Sequence, residues 1–477
     1  MGQLPYQEFL APLTAKGRCD AKLASDASQS PPEPSEVVNT SRRRVTSSFV
    51  LAGFVLSALV GVISNWAAPS TIVVIRWTAP LADEASSSLF SVPRYAVGPV
   101  GLVLTTRPPM GWNGFNRFQR SVTAAMVEAE ARALVASGMK AAGYNYVNLD
   151  GGWNLHKRDS SGNLQPDPAK FPQGIKPVAD YVHSLGLKFG IYASAGTENC
   201  ASTSAGSYGH YRQDATMFAS WGVDYLKLDW CHIPFKNYPH APRRVVSRVL
   251  AMEMADAISV TGRAMVYDLN DWMNTEPWSS APGLANLWRT APDIQDKYSS
   301  MLQNFTKNVK HFEHAGPGGW NDPDMLEVGN GGMSITEYQS EFSLWAEMAA
   351  PLFAGNDLTK MSAITKSILT NQAIIAIDQD PLGRQGYPVS SIGGHWVLTK
   401  PLANGNRAVV LFNQTSTAAT ISTTATLIGL GSAAEYSKLD LWTGTMTETP
   451  GTISATLPAH GAVFYEIAEI MAPPFTS

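Results

Sequence analysis

From about Val100 to Ile375 two apolar patterns alternate along the chain. Short runs of apolar and β-branched residues follow stretches in which apolar residues recur every third or fourth position. The first pattern predicts buried strands, the second amphipathic helices. Helices are predicted over Ser121–Ala142, with Gly143 as a C-terminal stop, and over Pro177–Leu185, Tyr211–Trp221 and Arg244–Val260. Strands are predicted over Tyr144–Leu149, Leu187–Tyr192, Tyr225–Leu228 and Ala264–Asp268. Such repetition implies a parallel sheet. At this length a (β/α)8 TIM barrel fits better than a doubly wound sheet. No Gly-x-Gly-x-x-Gly follows the first strand, which argues against a dinucleotide fold. After Tyr387 the pattern becomes strand-like, as in His395-Trp396-Val397-Leu398 and Arg407-Ala408-Val409-Val410-Leu411-Phe412. Turn signals such as Asn404-Gly405-Asn406 separate these runs, predicting a small antiparallel β domain to about Ala468.

The N-terminal pattern is different. Residues 1–48 are rich in Ser, Pro and Ala and read as a disordered leader. Arg42-Arg43-Arg44 then precede an apolar run within residues 49–66, which resembles the n- and h-regions of a signal peptide. The run is short for a membrane span and lacks a clear Ala-x-Ala site. Either translation starts further downstream or the run is an uncleaved signal anchor. Both readings send the rest of the chain out of the cytoplasm, as a secreted or membrane-anchored protein. Residues 67–97 read as a linker, 98–387 as the barrel and 388–470 as the β domain. Sequons start at Asn39, Asn304 and Asn413 and matter only in a eukaryotic secretory route.

Charge narrows the partners. The formal net charge is -4 with no basic stripe, so nothing predicts a nucleic-acid partner. Thirteen Trp and sixteen Tyr suit a protein that stacks against sugar faces, though most will fill the core. Cys19, Cys200 and Cys231 are too few for a disulfide scaffold and suit one bridge with one thiol left over. No Cys-x-x-Cys or His-x-x-x-His spacing predicts a metal site, and no cofactor is implied.

The chemistry gathers where strands end. In Tyr225-Leu226-Lys227-Leu228-Asp229-Trp230-Cys231, alternation puts Lys227 and Asp229 on one face of a strand. A lone Asp there could equally cap a helix. The same ends carry Asp150, Asn270 with Asp271 and Trp272, Arg289 with Asp293, and Asp322 with Asp324. Barrel active sites form at the C-terminal ends of strands. Glycoside hydrolysis needs two carboxyl groups flanking one bond.

Seven motifs occur in order: Pro108-Pro109-Met110-Gly111-Trp112-Asn113, Leu149-Asp150-Gly151-Gly152-Trp153, Tyr225 to Cys231, Trp288-Arg289-x-x-x-Asp293, Gly316 to Leu326, Ala349-Ala350-Pro351-Leu352-Phe353, and Ile377 to Gly383. Together they resemble glycoside hydrolase family 27, the α-galactosidase and α-N-acetylgalactosaminidase family, over residues 98–470. The resemblance implies a (β/α)8 barrel with a C-terminal β-sandwich and a retaining mechanism. It implies that Asp229 is the nucleophile and Asp293 the acid/base. It further implies that Lys227 and Arg289 bind sugar hydroxyls and that Asp150 remains a sugar ligand. Trp112 and Tyr192 would wall the glycon pocket, Asp271 would contact the 2-hydroxyl, and Cys200 and Cys231 would pair. The implied partner is an α-galactoside oligo- or polysaccharide.

The sequence departs from the family at one position. The family's Leu-Asp-Asp-x-Trp motif carries two adjacent acids that contact O4 and O6 of the sugar, and here Gly151 replaces the second. Selectivity for axial O4 should weaken or come from another group. Galactose is still the expected glycon. The alternatives are an isomaltodextranase, β-L-arabinopyranosidase or α-N-acetylgalactosaminidase specificity, the last disfavoured by an acid at position 271. A non-catalytic carbohydrate-binding barrel would have no chemical need for the Asp229 and Asp293 pair.

Overall fold

The computed structural model describes residues 104–470, Asn274 apart. The leader, the apolar run, residues 67–97, Cys19 and the sequon at Asn39 lie outside the described residues. Eight strands form one parallel sheet: β1 (Met110–Asn113), β2 (Tyr146–Leu149), β3 (Lys188–Ser194), β4 (Tyr225–Asp229), β5 (Val266–Asn270), β6 (Leu287–Arg289), β7 (Trp320–Asp322) and β8 (Leu352–Ala354). Their order runs from β7 down to β1 and then to β8. Closure comes just beyond β7, where Leu326 bridges Ala354, with the Leu326 N–H 2.7 Å from the Phe353 carbonyl oxygen. The sheet is therefore a barrel.

The predicted helix Ser121–Ala142 is broken in two. Gly138 takes a left-handed φ of 89° between helices Ala124–Ala136 and Met139–Ala142. The first opens with the Thr123 hydroxyl accepting from the Met126 N–H. The later helices Lys176–Ser184, Tyr211–Trp221 and Arg243–Val260 fall where the periodicity placed them, within a residue at each end.

Strand alternation decides what the barrel encloses. Tyr146, Tyr225 and Phe353, from even-numbered strands, meet as an interior layer with ring centroids 5.5–6.4 Å apart. A residue with a Cβ could not replace Gly190 opposite this filling, because its Cβ would lie 2.0 Å from Asn148 Oδ1.

The C-terminal region holds β9 (Tyr387–Ser390), β10 (His395–Pro401), β11 (Arg407–Asn413), β12 (Ala419–Thr424), β13 (Tyr436–Asp440), β14 (Met446–Thr449), β15 (Thr452–Leu457) and β16 (Ala462–Glu469). All but β12 and β15 form a six-stranded antiparallel sheet, and those two form a separate pair. Val409 and Leu411 join Ile421 and Ile453 of the pair in one core. Ala408, Val410 and Phe412 face the other way and join the barrel's core. This is the expected β-sandwich. Asn304 and Asn413 are fully buried, and each amide donates to two backbone carbonyls. Neither can carry a glycan in the folded chain.

The loops after β2 and β3 are joined by one fork. Arg158 Nη1 and Nη2 each lie 2.7 Å from a carboxylate oxygen of the fully buried Asp214, and the same guanidinium donates to Gly162 and Gly206 carbonyls. Arg158→Ala strands that carboxylate and should cost about 3–5 kcal/mol of stability by urea denaturation. A loss below about 1 kcal/mol would mean that the pair acts as a solvated one.

Candidate active site

A cavity of about 240 Å³ opens at the C-terminal ends of the barrel strands. Asp150, Tyr192, Lys227, Asp229, Asp293 and Asp324 line it. At its base Asp150 Oδ2 accepts from Lys227 Nζ and Asn113 Nδ2, both at 2.8 Å, and Oδ1 accepts from the Gly151 N–H. Burial alone would push the Asp150 carboxyl up, but Lys227, Asn113 and Gly151 outweigh it and hold the carboxyl below its ordinary range.

Asp229 closes β4 beside this pair. Its Oδ1 accepts from the Trp230 N–H at 2.8 Å and Trp272 Nε1 at 3.0 Å, and its Oδ2 accepts from the Tyr192 hydroxyl at 3.0 Å. Burial pushes this carboxyl up, and the Lys227 charge and the Trp230 and Trp272 donors oppose that without cancelling it. Asp293 is the exposed member of the set, its side chain 74% accessible, with Arg289 Nη2 3.0 Å from Oδ1. The same guanidinium nitrogen lies 2.9 Å from Asp324 Oδ2, which also takes the Ile294 N–H. Burial pushes Asp268, Asp322 and Asp324, around this part of the barrel interior, up to about 6.

Cys200 and Cys231 form a disulfide between the loops after β3 and β4. The Cys200 sulfur lies 3.1 Å from Asp229 Oδ2. The close grouping of these cysteines with Asp229 is no metal site, because bonded sulfurs offer no thiolates.

The expected site residues thus divide. Asp150, Tyr192, Lys227, Asp229 and Asp293 come together at the cavity. Arg289 lies beneath it, 1% exposed, and reaches it through Asp293 and Asp324. Trp112 lies off the cavity. Gly111 and Asn113 face the barrel interior, so Trp112 between them points outward, fully buried, with Nε1 donating to the Asn356 carbonyl oxygen. The β1-side aromatic ring on the wall, in addition to Tyr192, is Phe115, three residues on. Asp271 also lies off the cavity lining. Asn270 ends β5 facing inward, and Asp271 turns to the helix Arg243–Val260, where its Oδ2 accepts from Ser247 Oγ at 3.0 Å. Phe115 and Asn113 were given no role, and Trp272 was noted at its strand end without one. Alternation along β1 could have found Asn113, but no local signal marks Phe115. A larger groove of about 500 Å³ lies elsewhere, between helix faces bearing Arg212 and Glu253, away from these strand ends.

Known proteins are similar to this chain over most of its described length. A family model described as alpha galactosidase A matches residues 107–380, and one described as the alpha galactosidase C-terminal beta sandwich domain matches residues 392–467. The chain belongs to glycoside hydrolase family 27, the alpha-galactosidase family. An alpha-galactosidase of Oryza sativa is 44% identical over 358 residues, covering 75% of this chain and 84% of that one. The crystal structure of alpha-galactosidase I from Mortierella vinacea superposes with a TM-score of 0.74 at 35% identity, covering 77% of this chain and 98% of that one. The Saccharomyces cerevisiae alpha-galactosidase with raffinose matches with a TM-score of 0.71 at 28% identity, covering 76% of this chain and 98% of that one.

Within this family frame the Asp229 environment makes a two-sided prediction. A carboxyl raised in the fold costs stability where it is ionised, and that cost disappears as pH falls below its ordinary unfolded value. Asp229→Asn should therefore raise the melting temperature at pH 7, with the gain vanishing near pH 3. The Tyr192 hydroxyl can rotate to accept from the new amide, while the amide oxygen keeps the Trp230 and Trp272 donors. Activity should fall on the order of 10⁴-fold or more. A variant that is less stable at pH 7 would contradict this account of the pocket.

Proposed function

We propose that the chain is a retaining α-galactosidase that removes terminal α-linked galactose from oligo- or polysaccharides. One observation carries the reading: a buried carboxylate held by fixed donors and an exposed carboxyl on an arginine share one cavity. Asp229 attacks the anomeric carbon and the glycosidic C–O bond breaks. Asp293 protonates the departing oxygen, then takes a proton from the water that opens the glycosyl–enzyme ester. Lys227 and Asp150 present a donor and an acceptor to sugar hydroxyls. Tyr192 holds Asp229 and walls the cavity. Export is supported by the Cys200–Cys231 disulfide, which persists in oxidising compartments, together with the arginine-led apolar run. Among the described residues no helix is long and apolar enough to cross a membrane.

Two experiments test this. Asp293→Ala should slow hydrolysis of a sugar-leaving substrate such as raffinose by roughly 10²–10⁴-fold. It should slow a p-nitrophenyl α-galactoside much less, because that leaving group needs little protonation. Equal losses on both would count against Asp293 as the acid. Gly151 bears on which sugar fits. A Cβ there would meet the Tyr192 ring at 3.4–3.6 Å, an ordinary contact, so an acid can be accommodated. Gly151→Asp should raise the preference for α-galactoside over β-L-arabinopyranoside and α-glucoside by roughly tenfold or more. Unchanged selectivity would mean that another group already reads O4 and O6.

A further inference from the structure

We infer that Asp271 is a positioning residue: it clamps the turn after β5 so that Trp272 holds Asp229 ready to attack. The clamp is complete in the structure. Asp271 is fully buried, and its Oδ2 accepts from Ser247 Oγ at 3.0 Å, from the Thr275 N–H at 3.1 Å and from the Thr275 hydroxyl. It thus ties both ends of the turn to the helix Arg243–Val260.

Trp272 and Met273 in this turn are left-handed, with φ of 53° and 61°. Non-glycine residues hold such angles only where the surroundings over-determine them. Packing does not fix Trp272, which is 52% exposed. The turn does, and it leaves Nε1 3.0 Å from Asp229 Oδ1. The other donor to Oδ1, the Trp230 N–H, is fixed by the end of β4 itself. Trp272 is the donor whose position depends on a residue elsewhere.

The inference rests on Asp229 as the nucleophile. A double-mutant cycle of Asp271→Ala and Trp272→Phe, assayed on a p-nitrophenyl α-galactoside across pH, tests it. Each single variant should lose roughly tenfold to a hundredfold in kcat with KM little changed. Each should move the acidic limb of the profile to higher pH, since losing a donor disfavours ionised Asp229. The double variant should be no slower than the slower single. Additive losses overturn the inference. So does an Asp271→Ala variant that raises KM alone, as a direct contact with a sugar hydroxyl would require. If Asp271→Ala does not fold, Thr275→Val keeps the test alive: it should give a smaller loss with the same limb shift, and an unmoved profile would refute the clamp. Turnover retained in Asp229→Ala would instead strike the nucleophile assignment.

Discussion

Lys227 Nζ sits 2.8 Å from Asp150 Oδ2 near the centre of the barrel mouth, with its side chain 14% accessible and that of Asp150 6%. Carboxylates packed this densely, away from water, would ordinarily take up protons. Burial works against the ammonium as well, yet Asp150, Asp324 and Asp229 around it hold its proton more firmly than usual. The dependence is mutual: Asp150 stays ionised because Lys227 is charged, and Asp229 would be raised further without it. Arg289 pairs with Asp293 and Asp324 as Lys227 pairs with Asp150. Both cations come from even-numbered strands, where alternation turns them inward. Both cations act on Asp268, Asp322 and Asp324, so each carboxylate of the interior depends on more than its nearest partner.

Much of this was legible because the strand period of two is rigid. In Tyr225-Leu226-Lys227-Leu228-Asp229 the pattern assigns every face correctly, with the leucines outward and the lysine and acid inward. The same rule explains why two motif residues lie off the cavity lining. Trp112 belongs to a family motif, but Gly111 and Asn113 hold the inward positions of β1. Asp271 stands one residue beyond an inward Asn270. Motif identity located both residues without saying which way they face. The contact of Trp272 with Asp229 was hidden for a different reason. Trp272 reaches Asp229 through a left-handed turn that tertiary contacts impose, and propensity alone argues against that turn.

The C-terminal sheet shows the pattern at its limit. Ala408 to Phe412 is continuously apolar, and a strand with one wet face would alternate instead. Both of its faces are buried, one against the β12–β15 pair and one against the barrel's core. Lys400 on the neighbouring β10 is fully buried, its Nζ donating to the Ile377 carbonyl oxygen at 2.6 Å and to that of Ala346 at 3.2 Å. Ala346 belongs to the helix Ile335–Glu347, whose Trp345 Nε1 in turn donates to the Asp324 carbonyl oxygen at 2.8 Å. A short path of direct contacts therefore runs from the β domain to an acid of the pocket.

Strain is concentrated at the mouth. Non-glycine residues take left-handed angles at Gln119, Ser202, His232, Trp272, Met273 and Asp324, in the segments that follow β1, β3, β4, β5 and β7. Each costs on the order of 1–3 kcal/mol and persists only under external constraint. The constraints are visible for most of them. Ser202 and His232 hydrogen-bond to each other at 3.1 Å beside the disulfide that ties their loops. The Asp324 carboxylate is held by Arg289 and by the Ile294 and Met325 N–H groups. Trp272 lies between the two ends of the Asp271 clamp. This strain lies outside the barrel strands. Its concentration around Asp229 and Asp293 makes sense if the groups must already be aimed when the sugar arrives, because reorganisation during bond breaking would add to the barrier.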